Sequence, residues 1–315
     1  MGISKMEGDG HMQCKVCGSE HTRVIYNGEV RAGGVGVWTE KTPVYQCDDC
    51  NVIWHENLYD DIKRFYEGTE YREQVNGSSD ADCFYALHDG ESADKFRYTG
   101  TKIFRGKVVA DVGCGAGAWL DFVKGTAKES IGIEPSQVFR ALIQRKGITA
   151  FPYAEDAKAV YRGKVDVVTS FDVIEHVENP DAFLGDIYEL LAPGGEAIVG
   201  TPTDTPVMRN LLGEIYEKMI LFTAQHLWVF SPRNMEIMAE RAGFSDIKFK
   251  CFQTYDLTNL LAWLQYKKPL SIGGNFGTPQ KKVNYDFVTN TLNAVYKSEL
   301  EKNFMGDYFV AYLKK

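Results

Sequence analysis

From Lys107 onward the hydrophobic positions follow two alternating rhythms. Short, nearly continuous apolar runs (VVADVG, SIGIEP, ITAFPY, VDVVTSF, EAIVGTP) are separated by stretches with apolar residues every three or four positions (GAWLDFVKG, PSQVFRALIQRKG, AEDAKAVYR, DAFLGDIYELLAPGG). The first kind predicts strands buried on both faces and the second amphipathic helices. Their alternation predicts a mostly parallel sheet with helices on both sides. NMEIMAERAGFSDIKFKCFQ adds a helix and a strand, and DYFVAYLKK supplies a last strand. Between Tyr255 and Asn303 the rhythm breaks. Helical pieces around DLTNLLAWLQY and NYDFVTNTLNAVYKSELEK flank the turn-rich KPLSIGGNFGTPQKK, an insertion before the final strand that is placed to cap a pocket.

Upstream, ENLYDDIKRFYEGTEYREQ puts Leu58, Ile62, Phe65 and Tyr66 at helical spacing. This predicts one amphipathic helix with Phe65 in the core and with Tyr66 and Tyr71 in reach of a ligand. Before it, TRVIYNGEVRAGGVGVWTEKTPVYQC alternates apolar and polar residues around Asn27-Gly28, a hairpin-turn signal. Two C-x-x-C pairs flank this segment, Cys14/Cys17 and Cys47/Cys50, with 29 residues between them. Such pairs supply the tetrahedral sulfur set that zinc prefers, and with every position filled by protein the expected role is structural. Two disulfides would need an oxidising compartment that nothing else in the chain supports. Cys83, Cys114 and Cys251 stand alone and read as small buried residues.

The expected organisation is an expression leader (1–12), a zinc ribbon (13–57), a helical linker (58–106), the core (107–254), a helical cap (255–303) and a final core strand (304–315). Composition adds two exclusions. A net charge of -8 over 315 residues argues against gripping a phosphate backbone. No apolar run approaches about 18 residues and no secretory pattern is present, so the expected location is cytoplasmic, without a membrane span.

The chemistry starts at KVVADVGCGAGAWL, Lys107 to Leu120. Gly113, Gly115 and Ala118 satisfy the loose G-x-G-x-x-A form, and the lack of Gly-Lys-Ser/Thr excludes a P-loop. In an open α/β sheet a ligand sits at the carboxyl ends of the strands, and glycines let it approach amides at a helix N-terminus. Asp111 ends the first strand, where it can meet an ammonium. Glu134 ends the second, where it can accept from both hydroxyls of a ribose, as the acid of a nicotinamide dehydrogenase would.

Three further segments, PYAEDA, VTSFDVIEHV and LLAPGGEAIVGTP, separate these readings. Together with LYDDIKRFYEGTEY, GIEPS and HLWVFSPRNMEIMAERAGF, they make the chain resemble the class I S-adenosylmethionine-dependent methyltransferases. It is most similar to bacterial zinc-ribbon members related to the quinone-biosynthetic O-methyltransferases. The resemblance implies an α/β fold: a Rossmann-like seven-stranded sheet with helices on both faces, a small N-terminal zinc ribbon and a helical insertion before the last strand. It implies S-adenosylmethionine as cofactor. Gly113, Gly115, Gly117 and Asp111 would surround its methionine portion, Glu134 and Pro135 its ribose, Ala154 and Glu155 its adenine, and Phe171 and Asp172 its sulfonium. Tyr153 stands where relatives often carry an aspartate.

Methyl transfer from a sulfonium is an in-line displacement, and a hydroxyl acceptor also needs a base or a metal. Asp172, Glu175 and His176 form D-x-x-E-H, and His226 follows in AQHLWVF. The similar E-x-x-E-H of quinone-biosynthetic and small-RNA 2′-O-methyltransferases serves a divalent metal. Here the first acid is one methylene shorter, and three roles stay open: packing around His176, a general base at His176 or His226, or a divalent-metal site with Glu175. The resemblance implies O-methylation of a small molecule such as a sugar or surface-glycan precursor. C- or N-methylation of a nucleotide-linked sugar is one alternative, and RNA methylation with the ribbon as a grip is a more distant one. Trp263, Tyr266 and Phe276 could stack on a ring, and Arg209, Arg233, Lys267 and Lys268 could meet an anion.

Overall fold

The computed structural model describes residues 12–33, 38–76, 80–267 and 287–315. Most of the expected leader, Lys268 and Phe276 lie outside the described residues. The alternating N-terminal segment forms two antiparallel strands, β1 (Thr22–Arg31) and β2 (Trp38–Cys47). The reversal is not at Asn27-Gly28. Those residues lie inside β1 opposite Pro43 and Thr42, and the strand runs on to Arg31, which pairs with Trp38. Val30 and Val44 are fully buried in this register. A strand's register follows its buried face, which here overrides the local turn signal. A short β3 (Ile53–Trp54) continues the sheet.

The single helix expected after the ribbon is two, α1 (Ile62–Glu67) and α2 (Glu70–Asn76), with Gly68 between them. Leu58 precedes both and is exposed. Asp61 caps α1 by accepting from the Arg64 amide. The longer α3 (Ala81–Thr99) follows, with Asp80 accepting from the amides of Asp82 and Cys83.

The strand–helix alternation then runs as expected: β4 (Val108–Val112), α4 (Ala118–Lys124), β5 (Glu129–Ile133), α5 (Gln137–Arg145), β6 (Thr149–Phe151), α6 (Ala154–Tyr161), β7 (Val165–Phe171), α7 (Pro180–Leu190) and β8 (Leu191–Pro202). After α8 (Pro206–Leu212), α9 (Glu214–Tyr216) and the short β9 (Trp228–Val229) come α10 (Pro232–Ala242), β10 (Asp246–Phe252), α11 (Leu257–Tyr266), α12 (Asn293–Lys302) and β11 (Tyr308–Lys314). The main sheet has seven strands in the order β10-β11-β8-β7-β4-β5-β6, parallel except for β11, which is antiparallel to both neighbours. Successive residues feed different cores. Val109, Val167, Ile198 and Val310 pack with Phe104 and Trp119, while Ala110, Val168, Val199 and Ala311 pack with side chains of α7 and α10. Both faces are therefore covered, as apolar parallel strands require. The strand order reverses at β4, which has β5 on one side and β7 on the other, and this opens a crevice beyond their carboxyl ends.

The ribbon is joined to this sheet rather than tethered to it. β3 pairs with β9, so the four-stranded ribbon sheet takes its last strand from the segment before α10. Cys14, Cys47, Cys50 and Trp54 share one core with residues of β4, β5, α7 and α10. A second core joins Val30 and Val44 of the ribbon to Met208, Phe222 and the cap residue Trp263. Trp263 is fully buried there, edge-on to Tyr255, and is a packing residue rather than a stacking platform; Tyr266 is exposed.

Candidate functional site

The glycine loop joins β4 to α4 with Gly113, Gly115 and Gly117 all at positive φ. A Cβ on Gly113 would collide with Val173, and one on Gly115 with Phe84, so the loop tolerates no side chain at either. The Gly113 amide donates to the Ile133 carbonyl (2.7 Å), tying the loop to the end of β5. The next residue, Glu134, is buried and accepts from the Gly115 amide (2.8 Å) and the Ser136 amide (2.9 Å). Burial raises its carboxyl pKa against the opposing charge of Arg72. Pro135 follows, with its carbonyl and that of Glu134 both accepting from Arg140.

Asp111, at the end of β4, is buried and accepts from the Thr169 hydroxyl (2.7 Å), which in turn accepts from the Trp119 indole (3.0 Å). Burial pushes its carboxyl up to about 7, against the Thr169 hydrogen bond and the Lys95 charge. At the end of β7, Phe171 lies edge-on to Trp119 and under the Lys95 ammonium, 4.9 Å from the ring centre. Asp172 adopts φ 60° and pairs with Lys95 at 3.0 Å. Ala154 and Glu155 open α6, but the Glu155 carboxylate is largely exposed and reaches Lys158 (2.5 Å) rather than the loop. Tyr153 donates to Glu67 (2.7 Å).

A turn of 3₁₀-helix (Ile174–His176) after β7 buries Glu175 and His176. His176 Nδ1 lies 2.8 Å from the Gln225 carbonyl and 3.0 Å from the Tyr66 hydroxyl. A carbonyl can only accept, so Nδ1 carries the proton and Nε2 presents its lone pair. Burial pulls the ring down to about 4 and pushes Glu175 up to about 8, with Asp172 as the second cause. Both shifts favour the neutral forms and so weaken any ion pair across the 3.9 Å between Nε2 and Glu175 Oε1. Glu175 Oε2 accepts from Thr201 (2.9 Å), while Oε1 is buried without a partner. His226 stands edge-on to His176 with ring centres 4.7 Å apart. Ligand atoms of Glu175, His176 and His226 lie within 4.8 Å of one another. Asp172, held by Lys95, is not in that set.

Sequence reasoning missed Arg72 and Lys95. Arg72 on α2 lies over the rings of Tyr71, Phe84 and Phe139 (4.8–5.5 Å), beside Gly115. Both come from the segment read as a linker. Their only local signal is a cation next to an aromatic residue, Arg72 after Tyr71 and Lys95 before Phe96, and the tertiary fold is what turns them onto the crevice. Among the cap-side cations, Arg209 is taken up by Asp204 (3.3 Å) and Glu217 (3.9 Å).

The four ribbon cysteines converge on one point, with Cys14 and Cys50 sulfurs 3.6 Å apart and those of Cys17 and Cys47 3.5 Å apart. All four are free thiols, which removes the two-disulfide reading. With zinc–sulfur bonds of about 2.3 Å a tetrahedron has edges of about 3.8 Å, close to these separations. The Cys50 hydrogen bond pulls Cys14 down to about 5 while Cys50 itself is pushed up, so the pair shares one proton in the absence of a cation.

A family model described as a methyltransferase domain matches residues 85–248, just over half of the chain. The chain belongs to the class I S-adenosylmethionine-dependent methyltransferases. This methyltransferase is 29% identical over 175 residues to the tRNA U34 carboxymethyltransferase of Pseudoalteromonas translucida, covering 51% of this chain and 52% of that one. It is 31% identical over 149 residues to the ubiquinone biosynthesis O-methyltransferase of Thiobacillus denitrificans, covering 44% and 64%. The methyltransferase thus spans about half to under two thirds of the curated relatives it matches. A solved S-adenosylmethionine-dependent methyltransferase from Archaeoglobus fulgidus aligns at 20% identity with a TM-score of 0.49, covering 78% of this chain and 98% of that one.

Proposed function

We propose that this methyltransferase moves the S-adenosylmethionine methyl group to an oxygen of a small molecule, a sugar or glycan precursor being the class the family resemblance implies. What carries the reading is one juxtaposition: the neutral His176, its Nδ1 pinned to the Gln225 carbonyl, stands beside His226 just past the end of β7. On this reading Glu134 holds the ribose diol and Asp111 faces the cofactor's ammonium. Pro135 and the backbone at Ala154 border the nucleoside, Phe171 and Asp172 border the sulfonium, and Arg72 supplies a cation beside the methionine end.

In-line displacement places the acceptor oxygen on the far side of the methyl group, and the rate follows from alignment at near-attack distance. His176 Nε2, or His226, takes the hydroxyl proton as the carbon–oxygen bond forms. The carbon–sulfur bonding pair leaves with S-adenosylhomocysteine. The Gln225 carbonyl then stabilises the protonated His176 ring through Nδ1. The net charge of -8 favours a small acceptor over RNA.

A second reading has its own support, the orphaned Glu175 Oε1 beside two imidazoles. Glu175, His176 and His226 would hold a divalent ion, which when bound lowers the acceptor hydroxyl's pKa. The Cys14, Cys17, Cys47 and Cys50 cluster is the proposed structural zinc site, and it supplies no open position for chemistry.

The test is calorimetry with S-adenosylhomocysteine, followed by release of S-adenosylhomocysteine from S-adenosylmethionine across a panel of hydroxylated sugars and glycan precursors. Absence of cofactor binding would end the reading. Turnover only with added divalent ion would select the metal form. No helix among the described residues is long and apolar enough to cross a membrane.

A further inference from the structure

Arg31 ends β1 of the ribbon, and its backbone is stitched to the segment that carries His226. Its amide donates to the Phe222 carbonyl (3.4 Å), its carbonyl accepts from the Ala224 amide (2.8 Å), and it bridges to Thr223. Thr223 in turn accepts from the His226 amide through its carbonyl (3.1 Å) and its hydroxyl (3.2 Å). The guanidinium is partly buried; among the described residues its Nη1 donates to the Gly33 carbonyl and Nε, fully buried, has no hydrogen-bond partner. Among the described residues the ionisable groups coupled to it are the Tyr255 phenol and His226, whose ring its charge pushes down, and neither is an anion. Burial pushes that phenol up to about 12, so it is neutral and offers no counter-charge. A second orphaned donor, Gln225 Nε2, lies on the same short segment next to His226. A partly buried cation whose Nε has lost water without gaining a partner is favoured by a ligand that supplies an anion, and the planar guanidinium suits two-point contact with an oxyanion.

We infer that Arg31 is a specificity-determining residue of the acceptor site, where it pairs with a carboxylate or phosphate borne by the methyl acceptor. The inference rests on the small-molecule reading above and narrows it: neutral acceptors are disfavoured and anionic ones selected. It also gives the ribbon a role beyond stability, because the ribbon delivers the recognising charge to the methyltransferase core.

The full chain, saturated with S-adenosylhomocysteine and kept at constant ionic strength, is titrated calorimetrically with inorganic phosphate and separately with acetate. Wild type binds at least one of them saturably. Arg31→Gln binds it about tenfold or more weakly, while Arg31→Lys recovers part of the loss. Tighter phosphate binding selects a phosphorylated acceptor, and tighter acetate binding a carboxylated one. Equal affinities in wild type and Arg31→Gln, or no saturable anion binding in wild type, overturn the proposal. Should Arg31→Gln fail to fold, a wild-type crystal soaked with phosphate decides: an ion on Arg31 Nε supports the proposal, and an adventitious ion only, seated elsewhere, overturns it. S-adenosylhomocysteine affinity is measured first, so failure of the methyl-transfer reading shows as lost cofactor binding, separate from the anion result.

Discussion

The Gly115 amide donates to the Glu134 carboxylate at 2.8 Å, so the tip of the glycine loop and the acid ending the next strand form one hydrogen-bonded unit. A ribose entering there meets a carboxylate already aimed by two amides, those of Gly115 and Ser136. Glu134→Ala is expected to weaken S-adenosylhomocysteine binding by about 10- to 100-fold, the worth of hydrogen bonds to a charged group. Calorimetry checks this, with the melting curve as control for the fold. Unchanged affinity would place the ribose elsewhere.

Asp111 carries a pH signature. Its carboxyl stands at about 7 in the folded chain against an unfolded value near 3.8. The folded state therefore holds the proton longer, and the stability this contributes is full below the unfolded value and lost as pH rises through 7. Between pH 5 and pH 8, unliganded wild type should lose on the order of 2–3 kcal/mol more stability than Asp111→Asn. Denaturant midpoints of the two proteins at both pH values test it. Cofactor affinity should run the other way, strengthening as pH climbs through 7, because the ammonium pairs with the ionised acid.

The β3–β9 pairing predicts that metal loss will not stay within the ribbon. Strong chelation, or Cys14→Ser, should lower the melting temperature and shift the fluorescence of Trp54 and Trp228, which lie buried across that pairing. Elemental analysis should find about one zinc per chain. A content far below that, or a melt indifferent to chelator, would remove zinc from the account.

His176 and His226 can be separated from mere packing by kinetics. As proton acceptors, His176→Ala and His226→Ala should cut kcat by about 100-fold or more with little change in S-adenosylhomocysteine affinity. Equal losses in affinity and turnover would mark them as structural.

Backbone geometry makes Gly113 a stringent position. With φ 77° and Val173 where a Cβ would stand, Gly113→Ala should cost about 2 kcal/mol or more. It should also displace Val173, at the start of the turn that carries Glu175 and His176. Thermal melts and cofactor titration read the two effects. A neutral result would mean the loop relaxes freely.

The parallel strands and the amphipathic helices between them were legible in the chain, because short continuous apolar runs and period-3.6 patterning are each set over a few residues. The C-x-x-C pairs and the G-x-G-x-G loop were legible for the same reason: their chemistry needs fixed short spacings. What the local pattern misjudged were features settled by distant partners. Asn27-Gly28 is a turn signal by itself, but burying Val30 and Val44 holds it inside a strand. Asp172 pairs with Lys95 of α3, a partner that nothing near it in the chain reveals. Arg72 and Arg31 gained meaning only when folding brought one to the glycine loop and left the other partly buried with no counter-charge among the described residues. Sequence by itself determined which elements form and which acids and thiols stand at their ends. Tertiary structure decided which of those groups remain unpaired, because a charge or hydrogen-bond donor finds its partner through space and not along the chain.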